Sequence, residues 1–253
     1  MILCIDVGNT HIYGGLYADK KFQLQFRYPS HAPCTSDQLG IFFKSVLKEN
    51  SVNPQAITKI AICSVVPALN YSIRAAFLKY FSLEPFFLQK DSLPHIKLNY
   101  RNPQEIGADR LSNLLAAIAY YPNSNVIIID LGTATTIDIL RKDQTYLGGL
   151  IMPGMAISMK ALSENTANLS AVTILKPESV VGTTTSSNIQ AGLYFGHVGA
   201  LKEMITKIQY EILHQQSCVI IGTGGFASMF EDENIFTVII PELVLHGLML
   251  AAI

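Results

Sequence analysis

The sequence predicts an α/β fold made by duplication, with two similar domains over residues 1–122 and 123–253 and a central cleft. Three observations predict it. An apolar run ending in Asp-x-Gly occurs twice, as ILCIDVGNT from Ile2 and VIIIDLGT from Val126, and its aspartates, Asp6 and Asp130, stand 124 positions apart. A second apolar strand recurs later in each half, KIAICSVVP from Lys59 and CVIIGTGGF from Cys218. Helical spacing follows strand patterning in both halves, as crossover helices laid on sheet faces require.

The elements follow in order. Ile2 to Ile5 is a continuous apolar run and reads as a buried strand. Tyr13 to Tyr17 and Phe22 to Tyr28 read as strands joined by the turn Asp19-Lys20-Lys21. Leu39, Phe42, Phe43, Val46 and Leu47 put Ser36 to Glu49 on a helix that Thr35 or Ser36 can cap. Lys59 to Val65 is a strand, Asn70 to Tyr80 a helix and Phe86 to Leu88 a strand. Asp91 to Pro103, broken by Pro94 and Pro103, reads as an irregular connection of the kind that carries binding residues. Gln104 to Tyr121 is a long helix stopped by Pro122-Asn123.

The second half opens with strands at Val126 to Ile129, Thr135 to Leu140 and Thr145 to Ile151. Helical regions follow at Met155 to Leu162 and Ser187 to Gln209, then strands at Cys218 to Ile221 and Thr237 to Ile240. The last helix, Glu242 to Ile253, is begun by Pro241, which suits a first helical turn.

Composition excludes some classes. Charged residues are 15% of the chain and hydrophobic ones 49%, with a mean hydropathy of +0.32. Such a chain must bury much of its surface, in a core or against a second copy, which favours a homo-oligomer. The net charge of −1 and scattered basic residues argue against nucleic-acid binding. Asp6 interrupts the first apolar stretch, so no secretory signal is expected, and no run of about 18 uninterrupted apolar residues predicts a membrane span. Cys4, Cys34, Cys63 and Cys218 form no C-x-x-C pair and read as small core residues in a reducing, cytoplasmic setting. His11, His31, His95, His197, His214 and His246 show no paired metal-ligand spacing.

The repeated turn carries the chemistry. A buried carboxylate needs a partner, so an aspartate directly after a buried strand is poor packing material. Gly8 and Gly132 allow tight turns with no side chain between backbone and ligand. Asn9, Thr10 and Thr133 follow, and successive N–H groups in such a turn form an anion-binding concavity. Asp6 and Asp130 could hold cations that shield phosphate charge. One Asp-x-Gly would serve an ordinary hairpin equally well; two in register with a duplication favour phosphate chemistry. Gly222-Thr223-Gly224-Gly225 offers a surface for a flat nucleobase or ribose, or a plain loop.

These residues carry a resemblance. DVGNT at 6–10, GADR at 107–110, DLGTATTID at 130–138, GGLIMPG at 148–154, the stretch from Gly182 to Gly192 with Thr185, and ELVLHGL at 242–248 resemble the type III pantothenate kinases. Those enzymes are part of the actin-like ATPase superfamily, whose paired domains have a ribonuclease-H-like fold. The resemblance implies ATP-dependent phosphorylation of pantothenate, the first step of coenzyme A synthesis, by a homodimer that uses Mg²⁺ with ATP and a monovalent cation, K⁺ or NH₄⁺.

It also implies residue roles. Asp109 matches the catalytic base, and Gly107, Ala108, Asp109, Arg110, Tyr100 and Thr185 match substrate contacts. Asp6, Val7, Gly8, Asn9, Thr10, His11, Ile12, Tyr13 and Thr133 match the ATP-binding turns, with Asp6 towards Mg²⁺ and Asp130 at the monovalent cation. Alternatives stand beside these roles. Asp109 and Arg110 could be a helix-start ion pair, Tyr100 an ordinary half-buried tyrosine, and Thr185 one of a hydroxyl run, Thr183 to Ser187, that caps a helix. Another small-molecule kinase of the superfamily and a non-catalytic nucleotide-binding regulator are the rival functions.

Overall fold

The structure is a computed structural model that describes residues 1–30, 34–93 and 96–253. His31, Pro94 and His95 lie outside the described residues. The chain divides into two compact units.

The first unit comprises Met1–Ile96, Arg101–Tyr120 and Leu243–Ile253. Its strands are β1 (Ile2–Val7), β2 (His11–Ala18), β3 (Lys21–Pro29), β4 (Lys59–Ser64) and β5 (Phe86–Phe87), in the order β3-β2-β1-β4-β5. Its helices are α1 (Ser36–Glu49), α2 (Pro67–Phe81), α3 (Ala108–Tyr120) and, from the end of the chain, the helix Leu243–Ala252. Side chains alternate across the sheet. Leu3, Ile5 and Val7 share a core with Phe43 of α1 and Phe77 of α2, whose rings stack at 4.9 Å. Each such burial contributes about 1.5–3 kcal/mol. Cys4 and Asp6 therefore point to the opposite face, the one on which the terminal helix packs. Thr35 caps α1, accepting from Gln38 N–H at 3.2 Å.

The second unit comprises Lys97–Tyr100 and Tyr121–Glu242. Its strands are β6 (Lys97–Leu98), β7 (Asn125–Leu131), β8 (Ala134–Leu140), β9 (Thr145–Pro153), β10 (Cys218–Thr223) and β11 (Val238–Ile239), in the order β11-β10-β7-β8-β9-β6. Ile127, Ile129, Leu131, Ile137 and Ile139 form its core with residues of α4 (Met155–Asn165) and α5 (Thr185–Lys207).

The duplication is visible in the pairing. In the first unit β1 runs antiparallel to β2 and parallel to β4. In the second β7 runs antiparallel to β8 and parallel to β10. Asp6 and Asp130 occupy the same place, one residue before the end of the first strand of each motif.

Three expectations need correction. Residues 243–253, placed with the second half, pack in the first unit as α6 (Leu243–Ala252). Gly247 permits this, because its Cα lies so near Ser112 that an added Cβ would sit 2.5 Å from the Ser112 carbonyl carbon. Ser112 Oγ also donates to Val244 O at 2.7 Å. The helix expected from Gln104 instead begins at Ala108, after a 3-10 turn over Pro103–Glu105. Ile106 is extended, so Gly107 becomes the helix entry and its carbonyl accepts from Leu111 N–H at 3.1 Å. The connection expected to be irregular contains β6, which pairs parallel with β9 and so carries Lys97–Tyr100 into the second unit. Among the described residues no helix is long and apolar enough to cross a membrane.

Candidate active site

In the first unit β1 delivers Asp6 to the end of the sheet, and the turn Gly8 to His11 follows. Gly8 N–H donates to His11 O at 3.0 Å and closes it. Asn9, Thr10 and His11 are exposed, whereas Val7 and Ile12 are fully buried, so those two can meet a ligand only through backbone groups. Tyr13 is 6% exposed. Its hydroxyl donates to Gln25 Oε1 at 2.5 Å and the Arg27 guanidinium lies 4.0 Å over its ring. The turn therefore offers Asn9, Thr10 and His11 as side-chain contacts.

The parallel register sets Cys63 of β4 beside Asp6 on the same face. The buried Cys63 thiol donates to Asp6 Oδ1 at 3.2 Å. Burial, then the charges of Asp6 and Asp109, hold this thiol's pKa well above its ordinary range, so it remains a donor. Asp109 comes to the same strand from the other side of the chain, since the Gly107 bend that carries it packs beside Val65, just past the end of β4. Sequence reasoning took Cys63 for core filler; only the register of two strands that are far apart in the chain shows it against Asp6.

Asp109 sits in the first turn of α3, where orphan N–H groups and the helix dipole favour a carboxylate. Its Oδ1 accepts from Arg110 N–H at 2.8 Å. Gly107 leaves the room for this, since a Cβ there would collide with Asp109 Oδ1 and would sit 3.6 Å from Val65 Cγ1. Arg110 is 7% exposed, a charged group drawn into the body of the unit. Gly107, Ala108, Asp109 and Arg110 thus form one bend beyond the end of β4.

In the second unit Asp130 is followed by a shorter turn, Gly132 to Ala134, with Gly132 N–H donating to Ala134 O at 3.2 Å. Thr133 lies in this turn, against the start of α4: a Cβ at Gly154 would come within 2.7 Å of Gly132 O. Gly224 has φ +86° and carries the chain past Asp130, where a Cβ would strike Asp130 Oδ1 and lie 2.7 Å from Leu131 N. A Cβ on Gly132 would come within 3.4 Å of the same Oδ1. The glycine turn offered in sequence as a nucleobase surface therefore also walls the Asp130 carboxyl.

Tyr100 is half-buried and stacks on Tyr146, ring centres 5.9 Å apart. Thr185 is exposed at the first position of α5. The cap of that helix is Thr184, which accepts from Ser187 N–H at 3.2 Å, so the Thr185 hydroxyl is not used for capping.

Among the described residues no group of three or more His, Cys, Asp or Glu could hold a metal by itself. At Asp130 the absence of side chains on Gly132 and Gly224 leaves room for the carboxyl itself.

The family profile described as type III pantothenate kinase matches residues 2–207. A type III pantothenate kinase of Legionella pneumophila (strain Corby) is 51% identical over 252 residues, covering 100% of this chain and 98% of its own. Type III pantothenate kinase 1 of Francisella tularensis subsp. holarctica (strain OSU18) is 46% identical over 248 residues, covering 98% and 97%. Among solved structures, the activator of the 2-hydroxyisocaproyl-CoA dehydratase from Clostridium difficile superposes with TM-score 0.53 at 12% identity, covering 99% of this chain and 93% of its own. An inorganic polyphosphate/ATP-glucomannokinase from an Arthrobacter species does so with TM-score 0.51 at 17% identity, covering 98% and 96%. The structural matches establish the two-unit α/β fold alone. With the profile and the close relatives added to the two Asp-x-Gly turns and the GADR bend, this chain belongs to the type III pantothenate kinase family.

Proposed function

We propose that this protein transfers the γ-phosphoryl group of ATP to the primary hydroxyl of pantothenate, giving 4′-phosphopantothenate, the first step of coenzyme A synthesis. The observation that carries it is that β4 serves both carboxylates: its Cys63 lies against Asp6, and the Gly107–Asp109 bend packs beside Val65, just past its end. A phosphoryl transferase needs a carboxylate towards the metal–phosphate pole and a second one for the acceptor hydroxyl. Mg²⁺ bound with ATP, held towards Asp6, would shield the charge of the phosphates.

Asp6, oriented by the Cys63 thiol, serves that pole. N–H groups and side chains of Asn9, Thr10 and His11, with Thr133 of the second turn, hold phosphate oxygens. Asp109 takes the proton of the acceptor hydroxyl. Its Oδ1 accepts from Arg110 N–H, which fixes the carboxyl at the helix start. Arg110 grips acceptor oxygens through its planar fork. Asp130 holds the monovalent cation, and Tyr100 and Thr185 contact the acceptor. The protein acts as a homodimer. Its low charge content supports this, as do Gly192, Gly196 and Gly199 of α5, beside which an added Cβ would meet only open space.

An ADP-release assay with Mg²⁺ and K⁺ tests the reading, with pantothenate as acceptor and acetate and glucose as controls. Release with pantothenate alone supports it. Release with a control acceptor points to another small-molecule kinase, and no release with any acceptor points to a nucleotide-binding regulator.

A further inference from the structure

We infer that Tyr146 is a positioning residue for the acceptor: its ring is the platform that fixes Tyr100, and a buried Asp138 holds that platform in place. The inference rests on Tyr100 contacting the acceptor, as proposed above.

Four independent features converge on Tyr100. The segment before it is held to β9: Lys97 pairs with Thr145, Leu98 pairs with Tyr146, and Asn99 N–H donates to Tyr146 O at 2.9 Å. The Tyr100 ring stacks on the Tyr146 ring at 5.9 Å with an interplanar angle of 27°, within the range of attractive offset stacking. Tyr146 is fully buried, and its hydroxyl donates to Asp138 Oδ1 at 2.8 Å. Asp138 is 1% exposed on β8, so its carboxyl lies where a polar group needs hydrogen bonds to be tolerated. Finally, β9 bulges between Tyr146 and Gly148, the residues that face Leu140 and Ile139. Gly148 takes φ +105°, and an added Cβ would lie 3.8 Å from the Tyr100 ring. Bulges re-aim side chains, and a left-handed glycine is a strained requirement on any other residue.

A core does not need this arrangement. Leucine or phenylalanine at position 146 and a small apolar residue at position 138 would pack more cheaply than a buried phenol–carboxyl pair. The pair fixes the ring plane and rotation of Tyr146, and the stacked Tyr100 takes its orientation from that ring. Tyr100 lies two residues past the two-residue edge strand β6, where without the platform its ring would be free to rotate.

The test compares Tyr146→Phe and Tyr100→Leu with the unchanged protein in the ADP-release assay, alongside thermal unfolding. Tyr146→Phe keeps the ring and removes the tether to Asp138. The expected result is a pantothenate KM raised about 2- to 10-fold, with kcat and the KM for ATP within about twofold. Tyr100→Leu should raise the pantothenate KM at least as much. A folded Tyr146→Phe with unchanged pantothenate KM, or one whose two KM values rise together, overturns the inference and leaves the role of Tyr100 standing if Tyr100→Leu shows its effect. An unchanged pantothenate KM in Tyr100→Leu overturns both. Should Tyr146→Phe fail to fold, Asp138→Asn takes its place, since an amide oxygen still accepts from the phenol but holds it less firmly. The same selective rise for pantothenate is then required.

Discussion

Asp6 and Cys63 are neighbours across the parallel β1–β4 pair, and the Cys63 thiol donates to Asp6 Oδ1 at 3.2 Å. The residues are 57 positions apart in the chain, and the hydrogen bond joins a carboxylate of the repeated turn to a group with no mark in sequence. Removing the donor with Cys63→Val should weaken MgATP binding about three- to tenfold, the range of one hydrogen bond to a buried group. Cys63→Ser, which keeps a donor, should bind within about twofold of the parent. Calorimetric titration with a non-hydrolysable ATP analogue reads both, and equal affinity for Val and Ser variants would remove the bond from any role.

Asp109→Asn should lower kcat about 10²- to 10⁴-fold, the usual contribution of a positioned general base. The amide can still accept from Arg110 N–H, so the helix start should survive and the unfolding temperature should change little. Near-normal turnover with pantothenate and ATP would take the base role from Asp109.

Gly224→Ala should both destabilise the protein and abolish its response to potassium. A non-glycine residue at φ +86° costs about 1–2 kcal/mol, and the new methyl would strike the Asp130 carboxyl. Gly225→Ala is the control, because nothing lies within 4 Å of its added Cβ. Activity measured in potassium and in sodium salts should differ for the parent and for Gly225→Ala, but not for Gly224→Ala. Retained potassium stimulation in Gly224→Ala would count against Asp130 as the cation site.

Stability should fall above about pH 9. Burial pushes the Cys4 thiol up from 9.0 to about 12, and burial with the charges of Asp6 and Asp109 pushes Cys63 well up. Between the unfolded and folded values the unfolded chain loses protons that the folded chain keeps, so rising pH favours unfolding. Each thiol then contributes a slope of about 1.4 kcal/mol per pH unit, with its full stabilisation present below pH 9. Denaturant midpoints measured from pH 8 to 10.5 should decline, and less steeply in Cys4→Ala. A flat profile would mean that these thiols ionise alike in both states.

The candidate site was legible where chemistry is local. Asp6, Gly8, Asp130 and Gly132 announce themselves because a strand, a carboxylate and a tight turn are consecutive residues. Asp109 in the first turn of a helix is likewise a local pattern, although Gly107 moved the helix start four residues later than its spacing implied. Asp138 and Tyr146 stayed hidden in DLGTATTID and TYLGG, because a strand shows which residues share a face but not which of them meet a partner strand's side chains. The turn containing Gly224 was visible, but its role as a wall of the Asp130 site was not.

The sequence by itself determined the duplicated α/β class, the two Asp-x-Gly turns and the family, since these depend on apolar periodicity and on motifs a few residues long. Only the tertiary structure decided that α6 closes the first unit, that Lys97–Tyr100 is part of the second, and that Cys63 lies against Asp6. Parallel pairing and helix docking join segments through long crossovers. Their register is settled by how the whole core packs, a property that no short stretch of chain contains.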